Sequence, residues 1–454
     1  MEQLKYFRFD ALLLQQRWMK PAFVGVDNAG LMKYLSDNAP QTAGVEVVKG
    51  VALPGFPNGH SHAFQYAMAG MAEKHPPGTT DDFWTWRETM YDFALRMEPD
   101  QMEAVAARLY VEMLRRGYTQ VTEFHYLHND PNGNRYDSPA ELGERLLAAA
   151  ATAGIRITLV PVLYQKGGFG KDALPRQRRF ISRTVDEYFK LLEETEAALK
   201  KYPQASMGFG VHSLRAVSPG DIFRSVELGR KDLPFHLHAA EQLREVEDCM
   251  LHLRQRPVEW LLNNLPLQER FNLVHCTHLN EDETRRLAQT GATVVLCPGT
   301  EANLGDGIFP LSEYARSYGN FCIGTDSHIS LNPLEDLRWL DYGQRLKSHR
   351  RNTFDDGATL MVNKVISAGR SAAGIRSENF FALGQPFDAV IYRTAAALTF
   401  SDHLLPTILY TADTASIAGT IVNGEWVVRD LVHRKEKFVT TRFDMALTEL
   451  MNGA

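Results

Sequence analysis

The 454-residue sequence is poor in cysteine, in long apolar runs and in net charge. It has four cysteines and no C-x-x-C pair, which argues against a disulfide framework and against a cysteine-rich zinc site. Most of them end short apolar runs, where cysteine behaves as a small buried side chain, so we expect reduced thiols. The cysteines are Cys249, Cys276, Cys297 and Cys322.

The charge balance and the apolar runs limit the kinds of partner. The formal net charge of −6 gives no reason to expect nucleic acid or an anionic membrane. No apolar run reaches transmembrane length, and the stretch at residues 11–14 is too short for a signal-peptide core, so we expect a cytoplasmic protein. Basic side chains do cluster locally, and we interpret them as a solvated loop and helix start. They are Arg176, Arg178, Arg179 and Arg183.

A repeated unit organises the rest of the chain: a short apolar run that ends in a polar residue, followed by a segment with helical spacing. The runs are rich in β-branched and aromatic residues, as buried parallel strands are. Their alternation with helices predicts an α/β fold, a closed (β/α)8 TIM barrel. The runs are residues 51–56, 120–125, 157–164, 206–212, 234–238, 271–275, 292–297 and 320–325. An open doubly wound sheet is the alternative, which the lack of a glycine-rich phosphate loop after the first run disfavours.

Glycines mark the ends of three predicted helices. Gly117, Gly154 and Gly291 each follow a segment with helical spacing. A residue just after a helix commonly adopts the left-handed backbone, which glycine allows without steric cost. We therefore predict helix ends at these three positions.

The two ends of the chain do not fit the barrel pattern. Short apolar runs lie at residues 6–9, 45–48, 388–392 and 421–428. The last run is broken by Asn423-Gly424, a hairpin turn signal. We predict a small β-sandwich domain formed from both termini, residues 1–50 and 384–454, with the barrel domain at residues 51–383 inserted between them.

Metal-binding residue types stand at the predicted carboxyl ends of the strands, where barrel active sites form. His60 and His62 follow the first run, and in an extended segment they point to the same side. His238 ends the fifth run, His275 ends the sixth, and Asp326 follows the eighth. Three imidazoles and one carboxylate suit zinc or another divalent transition metal, with a position left for water. The predicted ligands are His60, His62, His238 and Asp326.

This order of ligands resembles the amidohydrolase superfamily of metal-dependent hydrolases, and the resemblance covers nearly the whole chain. The fourth run ends in His212 and no lysine follows it, whereas two-metal members carry a carbamylated lysine there. The motif His238-Ala239-Ala240-Glu241 instead resembles the mononuclear deaminase branch. The resemblance implies one metal ion per subunit and a hydrolytic deamination.

That resemblance implies roles for three catalytic residues. A bound divalent ion lowers the pKa of water toward neutrality. Asp326 is then expected to accept the water proton, His275 to orient the water, and Glu241 to protonate the leaving nitrogen. By strand alternation His236 is expected to point away from the site, and His328 to support a ligand without binding the ion.

Other polar residues near the strand ends indicate the kind of substrate. They are Gln65, Arg87, Tyr126, His212 and Arg215. Arginine binds a carboxylate through a bidentate fork, so a pocket with two arginines suits a small molecule that carries carboxylates. A purine or pyrimidine site more often shows aromatic stacking faces and amide groups that read the base.

Five stretches resemble the formimidoylglutamate deiminase family within the superfamily. They are NGHSHAFQ (58–65), FWTWR (83–87), TEFHY (122–126), VHSLR (211–215) and CPGTEANLGDG (297–307). The resemblance implies a zinc-dependent homodimer that hydrolyses N-formimino-L-glutamate to N-formyl-L-glutamate and ammonia in histidine degradation. It places Arg87, Tyr126 and Arg215 against two carboxylates, without assigning either carboxylate to one arginine. It gives Gln65 and His212 the task of positioning the substrate.

Two other functions fit parts of the same pattern. A related mononuclear amidohydrolase that acts on a purine, pterin or triazine, as a deaminase or dechlorinase, would share the metal site but would not need two arginines. A non-catalytic metal-binding scaffold on a degenerate barrel would usually have lost a ligand or the proton shuttle. Here the four ligands and Glu241 are all present.

Overall fold

The structure is a computed structural model that describes residues 4–452 apart from residues 16, 43, 75–81, 352, 355 and 377–378. Within these residues the chain forms twenty β-strands and fifteen α-helices. In the part described, no helix combines the length and the apolar composition that crossing a bilayer requires.

The strands are β1 (Lys5–Leu13), β2 (Trp18–Met19), β3 (Ala22–Val26), β4 (Met32–Ser36), β5 (Val45–Pro54), β6 (Phe56–Ser61), β7 (Tyr118–His125), β8 (Arg156–Leu163), β9 (Lys166–Gly168), β10 (Lys171–Asp172), β11 (Ala205–Met207), β12 (Phe209–Ser213), β13 (Phe235–Ala239), β14 (Phe271–His275), β15 (Thr293–Leu296), β16 (Asn320–Ile323), β17 (Ala389–Tyr392), β18 (Ile417–Val422), β19 (Glu425–Arg429) and β20 (Val432–His433).

The α-helices are α1 (Phe83–Arg96), α2 (Pro99–Arg115), α3 (Glu141–Ala153), α4 (Val185–Leu199), α5 (Pro219–Leu228), α6 (Leu243–Leu253), α7 (Pro257–Asn264), α8 (Glu281–Ala288), α9 (Pro298–Asn303), α10 (Leu311–Arg316), α11 (Pro333–Ser348), α12 (Gly357–Ala372), α13 (Ala396–Thr399), α14 (Leu404–Thr411) and α15 (Glu436–Asn452). Short 3-10 helices lie at Ala63–Met68, Met71–Glu73, Pro175–Gln177 and Thr414–Ser416.

One sheet forms the barrel. Its strands run in the order β6-β7-β8-β12-β13-β14-β15-β16, and all neighbours are parallel. The strand residues are almost all buried, as expected where helices cover the outer face. The end strands meet where the N–H of Asp326 donates to the carbonyl oxygen of His60 (3.0 Å) and the N–H of His62 donates to that of Asp326 (3.3 Å). The barrel prediction is confirmed, and the closing seam passes through three of the predicted metal ligands.

The first barrel strand lies further along the chain than the sequence pattern indicated. Residues 51–54 belong to β5, which pairs with β17 in the other large sheet, and the barrel begins with β6. An apolar run does not reveal which sheet it joins, so the end of β5 and the start of β6 look like one strand. The chain changes sheets at Gly55, where a Cβ atom would lie 2.1 Å from Oγ1 of Thr119. This shift places His60 inside the strand.

The other large sheet joins the two ends of the chain. Its order is β20-β19-β18-β17-β5-β1-β3-β4, and β17 pairs with β5 through Tyr392 opposite Val51. The predicted turn at Asn423-Gly424 connects β18 to β19, and both residues have positive φ (51° and 69°), as a type I′ turn requires. The predicted fold class is confirmed. The predicted domain boundaries stay a prediction, because β5 continues across the first of them.

The predicted helix end is confirmed at Gly154, whereas α2 and α8 end at the C-caps Arg116 and Gln289, shortly before Gly117 and Gly291. Gly154 is the C-cap of α3 with φ of 81°, and Gly117 and Gly291 have φ of 93° and 79°. These left-handed conformations let the chain turn from each helix toward the next strand. The glycines therefore set where the βα units of the barrel begin.

The arginine cluster is not uniformly solvated. Arg176 is exposed and pairs with Asp92 (2.9 Å), as the sequence interpretation expects. Arg179 is fully buried and donates to the carbonyl oxygens of Asn129 (2.8 Å) and Met97 (2.7 Å). The solvated-loop interpretation is wrong for Arg179, because the last carbonyl groups of α1 need donors and the fold brings this side chain to them.

Candidate active site

Four predicted ligands converge on one point at the carboxyl ends of the barrel strands. Nε2 of His60 lies 3.1 Å from Nε2 of His62 and 3.0 Å from Nε2 of His238. Oδ1 of Asp326 lies 3.2 Å from Nε2 of His62 and 3.4 Å from Nε2 of His60. Imidazole nitrogens that face one another around a carboxylate are the arrangement in which a divalent cation is held.

Hydrogen bonds behind the rings orient two of the imidazoles. Nδ1 of His62 donates to the carbonyl oxygen of Phe124 (2.8 Å), and Nδ1 of His238 donates to that of His212 (3.1 Å). With the proton on Nδ1, the lone pair on Nε2 faces the shared point. Burial, followed by the charge of His62, lowers the pKa of His60 to about 3, so this ring is neutral at pH 7.

Asp326 is the anionic member of the set. Burial raises its pKa, but the imidazoles of His60 and His62 outweigh burial and hold the pKa well below its ordinary value. Its φ of 48° is uncommon for a residue with a side chain, and it turns the chain out of β16 toward the histidines. Neutral imidazoles with one carboxylate fit a divalent metal ion, so His60, His62, His238 and Asp326 can hold one.

Glu241 and His275 lie beside the metal-binding point. Nε2 of His275 is 3.7 Å from Oε1 of Glu241 and 3.9 Å from Oδ2 of Asp326. Its Nδ1 is 3.3 Å from Oε1 of Glu301. Burial lowers the pKa of His275, but the charges of these three carboxylates outweigh burial and raise it to about 10. A carboxylate and an imidazole next to a metal position are suited to general acid–base chemistry.

A cavity of about 330 Å³ opens onto these groups, a volume that suits a small metabolite. Aromatic side chains of α1 form one of its walls, and His60 lies fully buried below it. The other predicted site residues all reach the cavity lining. They are His62, Gln65, Arg87, Tyr126, His212, Arg215, His238, Glu241, His275 and Asp326.

The two predicted arginines differ in their surroundings. Nη2 of Arg215 donates to Oε2 of Glu241 (2.8 Å), and its Nε lies 3.7 Å from Oε2 of Glu245. The guanidinium of Arg87 stacks on the ring of Trp84, 4.5 Å from the centroid, and its buried Nε has no hydrogen-bond partner among the described residues. In the cavity, the guanidinium of Arg215 is therefore paired with a carboxylate, whereas that of Arg87 is stacked on an aromatic ring.

Neutral polar groups complete the lining. Nε2 of Gln65 donates to the hydroxyl of Tyr126 (3.0 Å), and the Tyr126 ring lies edge-on to His62 with centroids 5.0 Å apart. Burial raises the pKa of Tyr126 well above its ordinary value, so it keeps its proton. Burial, followed by the charge of Arg215, keeps the pKa of His212 well below 6.5. The substrate-binding roles of these residues stay predictions.

Two carboxylates near the site had no role in the sequence interpretation. Glu123 on β7 accepts a hydrogen bond from Oγ of Ser61 (2.6 Å) and so braces the segment between the two histidines, and burial raises its pKa to about 7. A charged residue inside an apolar strand was the signal that could have found it. Glu301, which contacts His275, offered no such signal, because α9 approaches this histidine only in the folded chain.

Two histidines outside the ligand set lie as predicted. Nε2 of His236 lies 3.0 Å from the carbonyl oxygen of Ala372 in α12, away from the site. His328 lies 2.9 Å from Oγ1 of Thr325 through Nδ1 and 3.4 Å from Oγ of Ser61 through Nε2. It therefore supports the strand ends that carry the ligands.

Comparison with known proteins agrees with this geometry. The model of the Amidohydrolase family matches residues 51–427. Formimidoylglutamate deiminase of Pseudomonas aeruginosa is 41% identical over 453 residues, which cover 97% of this chain and 98% of the relative. The chain belongs to the amidohydrolase family.

Solved structures give the same assignment. An amidohydrolase from Brucella melitensis has a TM-score of 0.92 at 38% identity, covering 98% of this chain and 100% of that one. An adenosine deaminase from Xanthomonas campestris with bound zinc has a TM-score of 0.80 at 20% identity, covering 98% of each chain, and shares the fold alone.

Proposed function

We propose that this amidohydrolase hydrolyses N-formimino-L-glutamate to N-formyl-L-glutamate and ammonia, with one zinc ion bound by His60, His62, His238 and Asp326. The observation that carries the proposal is the presence of Arg87 and Arg215 in the cavity that faces the metal-binding residues. Each guanidinium offers a fork of N–H donors for a carboxylate, and the proposed substrate has two. The name of the Pseudomonas aeruginosa relative supports the same substrate.

The site residues supply the chemistry of this reaction. A divalent ion held by the four ligands would lower the pKa of a water molecule toward neutrality. Asp326 would accept a proton from the attacking water, and His275 would donate a hydrogen bond to the oxygen that attacks the formimino carbon. Glu241 would pass protons to the departing nitrogen: the two protons that the water loses convert the imino nitrogen to ammonia, while the carbon keeps the oxygen as a formyl group.

The substrate is oriented by other groups of the cavity lining. We propose that Arg87, Tyr126 and Arg215 hold the two carboxylates, and that Gln65 and His212 contact the rest of the molecule. Arg215 already donates to Glu241, so a carboxylate bound there lies next to the proton shuttle. A substrate of the right length then places its formimino carbon at the catalytic groups while its carboxylate is bound by Arg215.

A purine, pterin or triazine amidohydrolase is the alternative function, because it uses the same metal site. Buried arginine beside a neutral heterocycle is unfavourable unless a charged or strongly polar group of the ligand meets it. Arg215 already has Glu241 as a partner, but the buried Nε of Arg87 has no hydrogen-bond partner among the described residues, so Arg87 favours a ligand with a carboxylate.

The test is ammonia release from purified protein together with its metal content. We expect about one zinc per chain and release of ammonia from N-formimino-L-glutamate. Guanine, adenosine and a chlorotriazine serve as competing substrates. Turnover of one of these, with none of the formimino compound by the zinc-loaded protein, contradicts the proposal. We further propose a cytoplasmic homodimer, which sedimentation of the holoenzyme and fractionation of cells test directly.

A further inference from the structure

Two tyrosines of the cavity lining, Tyr91 and Tyr164, are held by the buried side-chain amide of Gln177. Gln177 is fully buried, and its Oε1 accepts from the N–H of Leu174 (2.8 Å). Its Nε2 donates to the hydroxyls of Tyr91 and Tyr164, both at 2.9 Å. A primary amide nitrogen has two protons, so this side chain is fully used.

The protons of the two tyrosine hydroxyls must therefore find other acceptors. Burial raises the pKa of both phenols, so both hydroxyls keep their protons at neutral pH. A hydrogen bond from one hydroxyl to the other can use only one of these two protons. The other proton then has no acceptor among the described residues, and both tyrosines line the cavity, with Tyr91 1% exposed.

Tyr91 and Arg87 act on the same part of the cavity. They are separated by one turn on α1, so they share a face of the helix. The guanidinium carbon of Arg87 lies 5.5 Å from the centroid of the Tyr91 ring. The charge of Arg87 is also the strongest influence after burial on the pKa of Tyr91, which it lowers. A ligand oxygen bound by Arg87 therefore lies beside the Tyr91 side chain.

We propose that Tyr91 is a substrate-binding residue whose hydroxyl donates to the carboxylate held by Arg87, and that Gln177 is the positioning residue that aims this proton into the cavity. The proposal rests on the proposed dicarboxylate substrate. A carboxylate accepts from both a guanidinium and a hydroxyl, whereas a neutral group at this place leaves one of these buried donors unpaired. The tyrosine thus selects for an anionic group at the end of the ligand away from the metal position.

Calorimetric binding of three ligands to the zinc-loaded enzyme tests this assignment. The ligands are N-formyl-L-glutamate, N-formyl-L-2-aminobutyrate, which lacks the side-chain carboxylate, and 4-formamidobutanoate, which lacks the α-carboxylate. Tyr91→Phe should raise the Kd of N-formyl-L-glutamate on the order of tenfold to a hundredfold, the usual range for a hydrogen bond to a charged group. Tyr91→Phe should not change the Kd of the monocarboxylate that lacks the carboxylate held by Arg87. This ligand is identified independently, because Arg87→Met should not change its Kd either.

Two variants separate positioning from general destabilisation. Gln177→Glu replaces the donor by an acceptor that takes both hydroxyl protons, so it should weaken N-formyl-L-glutamate, and adding Tyr91→Phe to it should change the Kd little further. Tyr314→Phe is the control, because Tyr314 is fully buried but donates to the carbonyl oxygen of Asn320, away from the cavity.

The results that would overturn the role of Tyr91 differ from the result that would overturn the proposed reaction. Equal weakening of all three ligands by Tyr91→Phe, no weakening of any, or no binding of N-formyl-L-glutamate by the wild-type enzyme overturns the role of Tyr91. Absence of ammonia release from N-formimino-L-glutamate overturns the proposed reaction. Binding of the dicarboxylate with the expected Tyr91 effect then still supports the assignment of this tyrosine.

Discussion

Arg215 and Glu241 form a salt bridge, with Nη2 and Oε2 separated by 2.8 Å and with side chains only 11% and 7% exposed. The bridge joins the proposed carboxylate-binding arginine to the proposed proton shuttle. A substrate carboxylate at Arg215 competes with Glu241 for the same guanidinium, so substrate binding changes the hydrogen bonding of Glu241. Substrate binding and proton transfer are therefore expected to depend on each other.

Replacing Glu241 with glutamine tests the proton shuttle. Glu241→Gln keeps the shape and the hydrogen bond to Arg215 but cannot transfer a proton. We expect kcat for ammonia release to fall at least about a hundredfold, the lower end of the range for general acid–base catalysis. Metal content should stay unchanged. Glu247→Gln, on the exposed face of α6, is the matched control. Wild-type kcat in Glu241→Gln contradicts the proposed mechanism.

Replacing Arg215 with methionine separates a dicarboxylate substrate from a neutral heterocycle. Arg215→Met removes the donors and leaves Glu241 buried without its partner, so kcat and KM should both change. We expect kcat/KM for N-formimino-L-glutamate to fall on the order of a hundredfold. Arg224→Met, at an exposed arginine of α5, should match the wild type. Normal kinetics in Arg215→Met point instead to a substrate without carboxylates.

Metal removal is expected to abolish turnover and to lower the melting temperature. A ligand that binds only the folded chain stabilises it by mass action, so added zinc should restore both properties. His62→Asn should contain little metal and should melt like the chelator-treated protein, and His403→Asn, at an exposed position, should behave like the wild type. Full activity after complete metal removal rules out the proposed reaction.

His128, which is not one of the proposed catalytic residues, is expected to make the stability of the fold depend on pH. Burial lowers its pKa from 6.5 to about 4, although Nε2 donates to the carbonyl oxygen of Val162 (3.0 Å). Because the folded pKa lies below the unfolded one, the unfolded chain binds more protons between these values. The free energy of unfolding should therefore decrease as the pH falls from 6.5 toward 4.

The measurement is the urea midpoint as a function of pH. His128→Phe removes the titrating group, so it should lose less stability than the wild type over this range, although it lacks the hydrogen bond at neutral pH. His349→Phe, at an exposed histidine, should keep the wild-type slope. Identical slopes in all three proteins exclude His128 as a source of the acid sensitivity.

The ligand quartet could be predicted from sequence because barrel topology brings all strand ends to one rim. Once the runs before His62, His238 and Asp326 are recognised as parallel strands, their polar ends must meet there. The hairpin at Asn423-Gly424 was equally accessible, because both residue types favour positive φ. These predictions depend on local chemistry and on one simple topological rule.

Two features could not be predicted from local chemistry and barrel topology: the start of the first barrel strand and the burial of Arg179. Residues 51–54 and Phe56 form one apolar run, and only strand pairing shows that Gly55 divides it between two sheets. The solvated interpretation of Arg179 failed because a buried arginine needs partners, here the last carbonyl groups of α1, which come from another part of the chain. In both cases the deciding contacts join distant residues.

By itself, the sequence determined the barrel, the four residues that could hold a metal ion and the presence of two arginines suited to carboxylates. Tertiary structure decided how these groups act on one another. The bond between Arg215 and Glu241, the contact of Glu301 with His275, and the hydrogen bond from Gln177 to Tyr91 all depend on loops and helices that meet above the barrel. Hydrogen bonds need atoms within about 3 Å and in a defined direction, and such geometry is set only when the whole chain has packed.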